Sequence, residues 1–268
     1  MKRRTALVGS LAALTAAGSA RADTPVDLQL VMAVDVSRSI DEVEAELQRR
    51  GYIEAMTNDR VIEAILSGDN QRIAVCYTEW AGTHYQMVVI DWTLIDSAGA
   101  ARGFAEKLSE APRTSQSWTA VGAALAYAGQ RFEASGFSSR RRVIDISGDG
   151  YDNQPLAFNE VVPLPQIRDS VVARGIIING MPILGAAEPL PRYKSLLEYY
   201  AAEVIGGSGS FVEPVENPDD IASFAGALRR KLVAEVARGS TPPLSNVTKI
   251  NKKHKLQASR VFTASIVN

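Results

Sequence analysis

The sequence predicts an α/β protein with a doubly wound, mostly parallel, Rossmann-like sheet, one antiparallel edge strand and helices on both faces. Apolar runs of strand length alternate with segments of helical periodicity, which is the pattern of strand–helix–strand units. The second and third apolar runs are joined by the short segment 81–84, which fits a hairpin and makes one of these two strands antiparallel. The length after the N-terminal segment suits one large domain.

The individual elements follow from these patterns in chain order. Five apolar runs predict strands, and 211–212 is a candidate sixth. The predicted strands are residues 28–34, 73–78, 87–92, 143–146 and 176–183. The predicted helices are residues 41–56, 98–109, 120–132, 166–174, 192–200 and 218–236.

The N-terminus has the composition of an export signal. A basic start precedes the apolar stretch 6–17, and an Ala-x-Ala motif ends at Ala22. This predicts a signal peptide over residues 1–22, cleaved between Ala22 and Asp23, and a periplasmic or secreted protein. Two arginines in the basic start leave both the general and the twin-arginine export routes open. The apolar stretch is shorter than the ~20 residues of a membrane span, so no transmembrane segment is expected after cleavage.

Charge divides the remaining chain into an acidic body and a basic tail. All 30 acidic residues lie within 23–237, together with 19 of the 29 basic ones, which gives this part a net charge of −11. An acidic body argues against nucleic acid as a partner and favours a cation site. Residues 238–268 are basic and aperiodic after a linker-like start, which predicts a flexible tail.

Cysteine and histidine are too scarce for the usual zinc sites. Cys76 is the only cysteine, and it alternates within a predicted strand, which indicates a buried structural thiol. His84 and His254 are the only histidines. A site of the Cys/His type is therefore effectively excluded.

The first candidate site residues form the motif Asp35-Val36-Ser37-Arg38-Ser39, on a strand-to-helix loop. A carboxylate and two hydroxyls spaced two residues apart are hard oxygen ligands, which suit Mg²⁺ or Mn²⁺. The motif alone is weak, because Ser39 with Glu42 also fits a capping box of the following helix.

Two later segments carry further candidate ligands. Thr119 precedes a predicted helix, although it could simply be the N-cap. Asp149 ends the fourth strand in Ser-Gly-Asp-Gly, although Asp-Gly is also a common turn. If the first and fourth strands are neighbours at the switch point of the sheet, Asp35 and Asp149 reach one crevice beyond the carboxyl ends of the strands.

Five residues together resemble the metal-ion-dependent adhesion site of the von Willebrand factor A (VWA) family: Asp35, Ser37, Ser39, Thr119 and Asp149. The resemblance covers roughly 27–237, and it extends to a bacterial branch whose fourth strand ends in Ser-Gly-Asp-Gly. It implies the VWA fold and an Mg²⁺ or Mn²⁺ ion held by the three hydroxyls and the two carboxylates. It also implies a protein partner that presents a carboxylate to an open position on the ion.

Other polar and aromatic residues flank these five. Asp152 and Asn153 follow the site and are expected to orient it. Asp145 lies on the fourth strand and is expected to be structural. Three aromatic side chains fit either a binding rim or ordinary packing: Trp80, Trp118 and Tyr151.

The sequence favours an exported, divalent-metal-dependent protein–protein interaction module of the adhesion or scaffold kind, and not an enzyme. It contains no Gly-x-Ser-x-Gly elbow, and the glycine-rich stretch 206–210 lacks the Gly-Lys-Ser/Thr end of a phosphate loop. A metal-assisted hydrolase remains an alternative, since a bound ion could activate water. A periplasmic scaffold with an idle metal site is another. The partner and the oligomeric state are left open.

Overall fold

The computed structural model of the chain describes residues 23–40, 42–153, 162–185 and 187–237. The expected signal peptide, the basic tail and Asp41, where the first helix was predicted to begin, lie outside these ranges. Within them, none of the helices is both long and apolar enough to cross a membrane.

The described residues form seven strands and seven α-helices. The strands are β1 (Thr24–Pro25), β2 (Gln29–Asp35), β3 (Ile73–Trp80), β4 (Gln86–Ile95), β5 (Phe137–Ser138), β6 (Arg142–Gly148) and β7 (Ile176–Pro182). The helices are α1 (Glu42–Met56), α2 (Asp59–Leu66), α3 (Ala98–Glu110), α4 (Val121–Gln130), α5 (Leu164–Ala173), α6 (Leu196–Tyr199) and α7 (Ile221–Val236). A 3-10 turn at Arg131–Ala134 follows α4, and a π-helical turn at Tyr200–Val204 follows α6.

The main sheet has five strands in the order β4-β3-β2-β6-β7. The β3–β4 pair is antiparallel and the other pairs are parallel, which confirms the predicted sheet with its antiparallel edge strand. From β2 the chain proceeds to β3 on one side, while β6 lies on the other. The switch point therefore falls between β2 and β6, and ligands of such sheets bind beyond that point.

Two apolar clusters cover the two faces of the sheet. One contains Tyr52 of α1 and Leu228 of α7, and the other contains Leu125 of α4 and Val171 of α5. All seven residues of β2 are buried, because this strand is central and covered on both faces. Cys76 is fully buried in β3 as expected, and burial raises the pKa of its thiol to about 11.

Several local predictions differ from the structure. The candidate sixth strand at 211–212 is only an isolated parallel bridge between Val212 and Gly180, made by the Gly180 N–H to the Phe211 carbonyl and the Glu213 N–H to the Gly180 carbonyl. The sequence patterns missed α2, which Asn58 caps, and the short parallel pair of β1 with β5. The helix predicted over 192–200 begins only at Leu196, because Ser195 is its N-cap.

Candidate metal centre

The candidate site lies where β2 and β6 end side by side. Asp35 is the last residue of β2, and Asp149 directly follows Gly148, the last residue of β6. The two strands are parallel, with Val34 opposite Ser147. Their carboxyl ends therefore meet at one edge of the sheet and bring the two carboxylates together.

The carboxylate of Asp35 is completely buried. Its Oδ1 accepts a hydrogen bond from the Ser37 N–H at 2.8 Å, which turns the chain so that the next residues face the same crevice. Its Oδ2 is buried and has no hydrogen-bond partner. A Cβ at Gly148 would lie 2.8 Å from this Oδ2 and 2.9 Å from the Tyr200 hydroxyl. Only a glycine at 148 therefore lets the end of β6 approach Asp35 this closely.

The two serines connect Asp35 to Asp149. The Ser37 and Ser39 hydroxyl oxygens are 3.0 Å apart, and the Ser39 hydroxyl donates to Asp149 Oδ1 at 2.8 Å. The second oxygen of Asp149, Oδ2, is buried without a partner, as Oδ2 of Asp35 is. Four of the five predicted ligands thus form one connected group.

Thr119 joins the group from the loop before α4. The N-cap of α4 is Ala120 and makes no side-chain capping bond, so the alternative of Thr119 as a helix cap is wrong. Its Oγ1 faces the Asp149–Gly150 turn, since a Cβ at Gly150 would lie 3.4 Å from it. Thr119 is 2 % exposed.

Asn153 and Asp152 hold Thr119 and α4 in place. Asn153 Oδ1 accepts from the Thr119 N–H at 2.8 Å, and the Asn153 N–H donates to the Thr119 carbonyl at 3.0 Å. Asp152 Oδ2 accepts from the Gly122 N–H at 3.4 Å. Asn153 thus holds the loop that carries Thr119, and Asp152 holds the first turn of α4, in the supporting position that their place in the sequence suggests.

Electrostatics make this group unfavourable without a counter-ion. Burial, and then the charge of Asp149, raises the pKa of Asp35 to about 8. Burial also raises the pKa of Asp149, against the lowering effect of its hydrogen bond from Ser39. Two neighbouring buried carboxylates resist ionising together. A divalent cation would relieve that repulsion.

The donor set fits a hard divalent cation. All five side chains offer oxygen, and the two orphaned Oδ2 atoms are buried acceptors that need a positive partner. Among the described residues, no group of three or more His, Cys, Asp and Glu side chains is placed to hold a metal ion. The candidate centre therefore depends on hydroxyl oxygens as much as on charge.

The aromatic residues near the site divide between surface and core. Trp118 is 51 % exposed and has a positive φ of 72°, an uncommon conformation for a large side chain. Trp80 is 1 % exposed, and Tyr151 packs on Tyr199 with ring centroids 5.0 Å apart, so packing is the correct interpretation for both. The sequence missed Tyr200, whose hydroxyl donates to the Gly148 carbonyl at 3.3 Å. No local pattern near the motif points to a residue so distant in the chain.

Comparison with known proteins gives a family match and a set of structural matches. The protein-family model described as "Protein of unknown function (DUF1194)" matches residues 25–240. No curated protein matches the chain significantly.

Solved structures give the same fold. Proximal thread matrix protein 1 from the mussel byssus superposes with a TM-score of 0.54 at 12% identity, over 80% of this chain and 49% of that chain. The pilus adhesin SpaC from Lactobacillus rhamnosus GG gives 0.56 at 12% identity, over 79% and 31%. A von Willebrand factor type A protein from Catenulispora acidiphila gives 0.51 at 16% identity, over 79% and 43%.

These similarities confirm the VWA fold expected from the sequence. The chain spans less than half the length of each of these three proteins. The mussel protein has also been solved with zinc in its metal-ion-dependent adhesion site motif.

Proposed function

The chain belongs to the DUF1194 family and has the VWA fold, and we propose that it is a divalent-metal-dependent module for protein–protein interaction. One observation carries this proposal. Two buried carboxylate oxygens, Oδ2 of Asp35 and Oδ2 of Asp149, lie without partners beside three hydroxyls at the switch point of the sheet. Buried acceptors of this kind are normally satisfied, and a cation is the partner that this set of oxygens suits.

Five residues would hold the ion: Asp35, Ser37, Ser39, Thr119 and Asp149. We propose Mg²⁺ or Mn²⁺, because every donor is a hard oxygen. The zinc-bound form of the mussel protein supports a divalent ion in this fold, although not its identity here. The bound ion would supply positive charge and an open position for an oxygen ligand from outside the chain.

The protein's own residues would prepare that position. Asp35 fixes the loop through the Ser37 N–H, and Asn153 holds Thr119 by two hydrogen bonds, so the oxygens are in place before the ion arrives. Two carboxylates offset the charge of a divalent ion. They do so without filling its coordination positions, and we assign the open position to a carboxylate of a protein partner.

Exposed apolar side chains lie close to the proposed centre in the sequence. Trp118 precedes Thr119, and Val43, near the start of α1, is 68 % exposed. Large exposed side chains beside a charged centre are typical of binding hot spots. A binding role is also supported by the solved neighbours, which include a pilus adhesin and a thread matrix protein. We propose that the module acts in the periplasm or outside the cell.

Calorimetry on the full mature chain tests the proposal. Stepwise addition of Mg²⁺ or Mn²⁺ to chelator-treated protein should show one site. Asp35→Asn should abolish binding, because it replaces a charged ligand by a neutral side chain of nearly the same shape. Thr119→Val should weaken binding less, because water can replace a neutral ligand. Asp96→Asn removes an exposed carboxylate before α3 and is the matched control, which should bind as the wild type does.

Partner capture from the native envelope should follow metal occupancy. Capture should be lost in chelator and with Asp35→Asn, while Asp96→Asn retains it. A partner bound equally well under all these conditions would contradict the metal bridge. Circular dichroism of each variant separates loss of binding from loss of fold.

A further inference from the structure

A second charged cluster lies inside the protein, on the strand that leads to Asp149. It consists of Asp145 on β6 and of Lys231 and Glu235, one turn apart on α7. All three side chains are 0 % exposed. Lys231 Nζ lies 2.7 Å from Asp145 Oδ1 and also contacts Glu235 Oε1. Asp145 faces a buried amine, so it has the structural role that was expected from its position on the strand.

The surroundings of the cluster are closed. Asn179 on β7 lies opposite Asp145 in the sheet, and its Nδ2 donates to Glu235 Oε1 at 2.9 Å. The ring of Phe211 covers Lys231, with Nζ 5.4 Å from the ring centroid. A buried amine under an aromatic ring is shielded from bulk water, so a reaction there would not compete with solvent.

The charges in the cluster do not balance as an ordinary ion pair. Two carboxylates face one ammonium, which contacts Asp145 Oδ1 and Glu235 Oε1, while Asp145 Oδ2 and Glu235 Oε2 are buried without a hydrogen-bond donor. Ions buried with unmatched oxygens are costly, so a reaction that removes two of the charges is favoured.

The Lys231 nitrogen is in direct contact with the carboxyl group of Asp145. A carbon–oxygen bond is ~1.2 Å long, so Lys231 Nζ lies within about 4 Å of the Asp145 carboxyl carbon. Reacting atoms in near-attack arrangements are ~3–3.5 Å apart. Burial, and then the charge of Glu235, raises the pKa of Asp145 to about 7, against the opposing effect of Lys231. Burial lowers the pKa of Lys231, but the charges of Asp145 and Glu235 outweigh this effect and raise that pKa overall, so the ammonium must give up a proton before its nitrogen can attack.

We propose that Lys231 and Asp145 condense into an intramolecular isopeptide bond, with Glu235 relaying protons between them. Glu235 accepts a proton from the Lys231 ammonium, and the free amine attacks the carboxyl carbon of Asp145. A carbon–nitrogen bond forms and one carbon–oxygen bond breaks. Of the three ammonium protons, one stays on the amide nitrogen and two leave with the departing oxygen as water. Ammonium plus carboxylate therefore become amide plus water, with Glu235 regenerated and no oxidant or reductant involved.

The bond would join the centre of the sheet to the last helix of the described body. Asp145 is in β6, four residues before the proposed metal ligand Asp149, and Lys231 is in the second half of α7. A covalent link between them would keep α7 attached to the strand that carries the candidate centre. This inference does not depend on the proposed metal function, because neither Lys231 nor Asp145 is among the proposed ligands.

Mass spectrometry of the denatured full chain tests the proposal. Wild-type protein should be lighter by one water than its processed sequence requires. Its proteolytic digest should contain a branched peptide that joins the segments of Asp145 and Lys231. Lys231→Arg keeps the positive charge but should not condense, so it should have its full mass. Glu235→Gln should also have its full mass, because the proton relay is lost. Lys107→Arg changes an exposed lysine on α3 and should still lack one water.

The mass of the wild-type chain decides the matter even if a variant fails to fold. A wild-type mass without loss of water, after prolonged incubation of folded protein at neutral pH, overturns the proposal. Loss of ammonia with a branch at Asn179 would also overturn it, since the bond would then join a different pair. The result should be the same in chelator and in Mg²⁺, which separates this test from that of the metal centre.

Discussion

Gly148→Ala tests whether the close approach of β6 to Asp35 builds the metal centre. The new methyl group would lie 2.8 Å from Asp35 Oδ2 and 2.9 Å from the Tyr200 hydroxyl, both well inside contact distance. Overpacking of this kind costs about 1–3 kcal/mol of folding stability. The Asp35 carboxylate must also move, so the affinity for Mg²⁺ should fall about tenfold or more, which is ~1.4 kcal/mol.

A second substitution separates the two contacts. In the double variant Gly148→Ala with Tyr200→Phe, the clash with the hydroxyl is gone and part of the lost stability should return. Tyr200→Phe alone removes the hydrogen bond to the Gly148 carbonyl and should cost about 1 kcal/mol. Metal affinity should remain low in the double variant, because the contact with Asp35 persists.

Urea unfolding in chelator gives the stabilities, and calorimetry gives the affinities. Gly103→Ala, in the interior of α3, is the control, because nothing lies within 4 Å of its added Cβ. It should raise stability by about 0.5–1 kcal/mol and leave metal binding unchanged. Undiminished Mg²⁺ affinity in Gly148→Ala would refute the reasoning, because Asp35 Oδ2 could then not be a ligand in its present position.

Two further predictions concern the binding surface and the core. Trp118→Ala should reduce capture of a partner while Mg²⁺ affinity by calorimetry stays unchanged, since Trp118 is exposed beside the centre; equal losses of both would contradict a separate binding role. Arg49→Met should lower the free energy of unfolding in urea by about 3–5 kcal/mol, because it leaves Glu79 buried without the guanidinium 2.8 Å away. The control is Arg50→Met, which breaks the exposed pair of Arg50 with Glu54 and should change stability by under ~1 kcal/mol. Burial raises the pKa of Glu79, and Arg49 opposes that rise. In the folded Arg49→Met variant, Glu79 should therefore hold its proton more tightly than it does in the unfolded chain. The variant should lose stability as pH rises from 5 to 8. A variant whose stability is flat over that range would show that Glu79 finds another partner.

The sequence alone determined the class of fold and the place of the candidate site. Strand-length apolar runs and helical periodicity are local signals, and they were sufficient to predict the strands of the main sheet and its antiparallel edge. The candidate ligands could also be found locally, because the loop after a buried strand carries Asp35, Ser37 and Ser39 within five residues. Parallel neighbours end at the same edge, so Asp149 could be expected beside them.

Tertiary structure decided which residues support or oppose that site. Whether Gly148 permits a close approach, and whether Trp80 is core or surface, depends on the elements packed against each residue. Lys231 shows the reason most clearly. A lysine on an amphipathic helix is ordinarily expected at the surface, and its burial here depends on the carboxylate of Asp145, 86 positions earlier in the chain, as well as on the nearby Glu235. Contacts between distant parts of the chain are set by packing and register, and local periodicity carries no information about them.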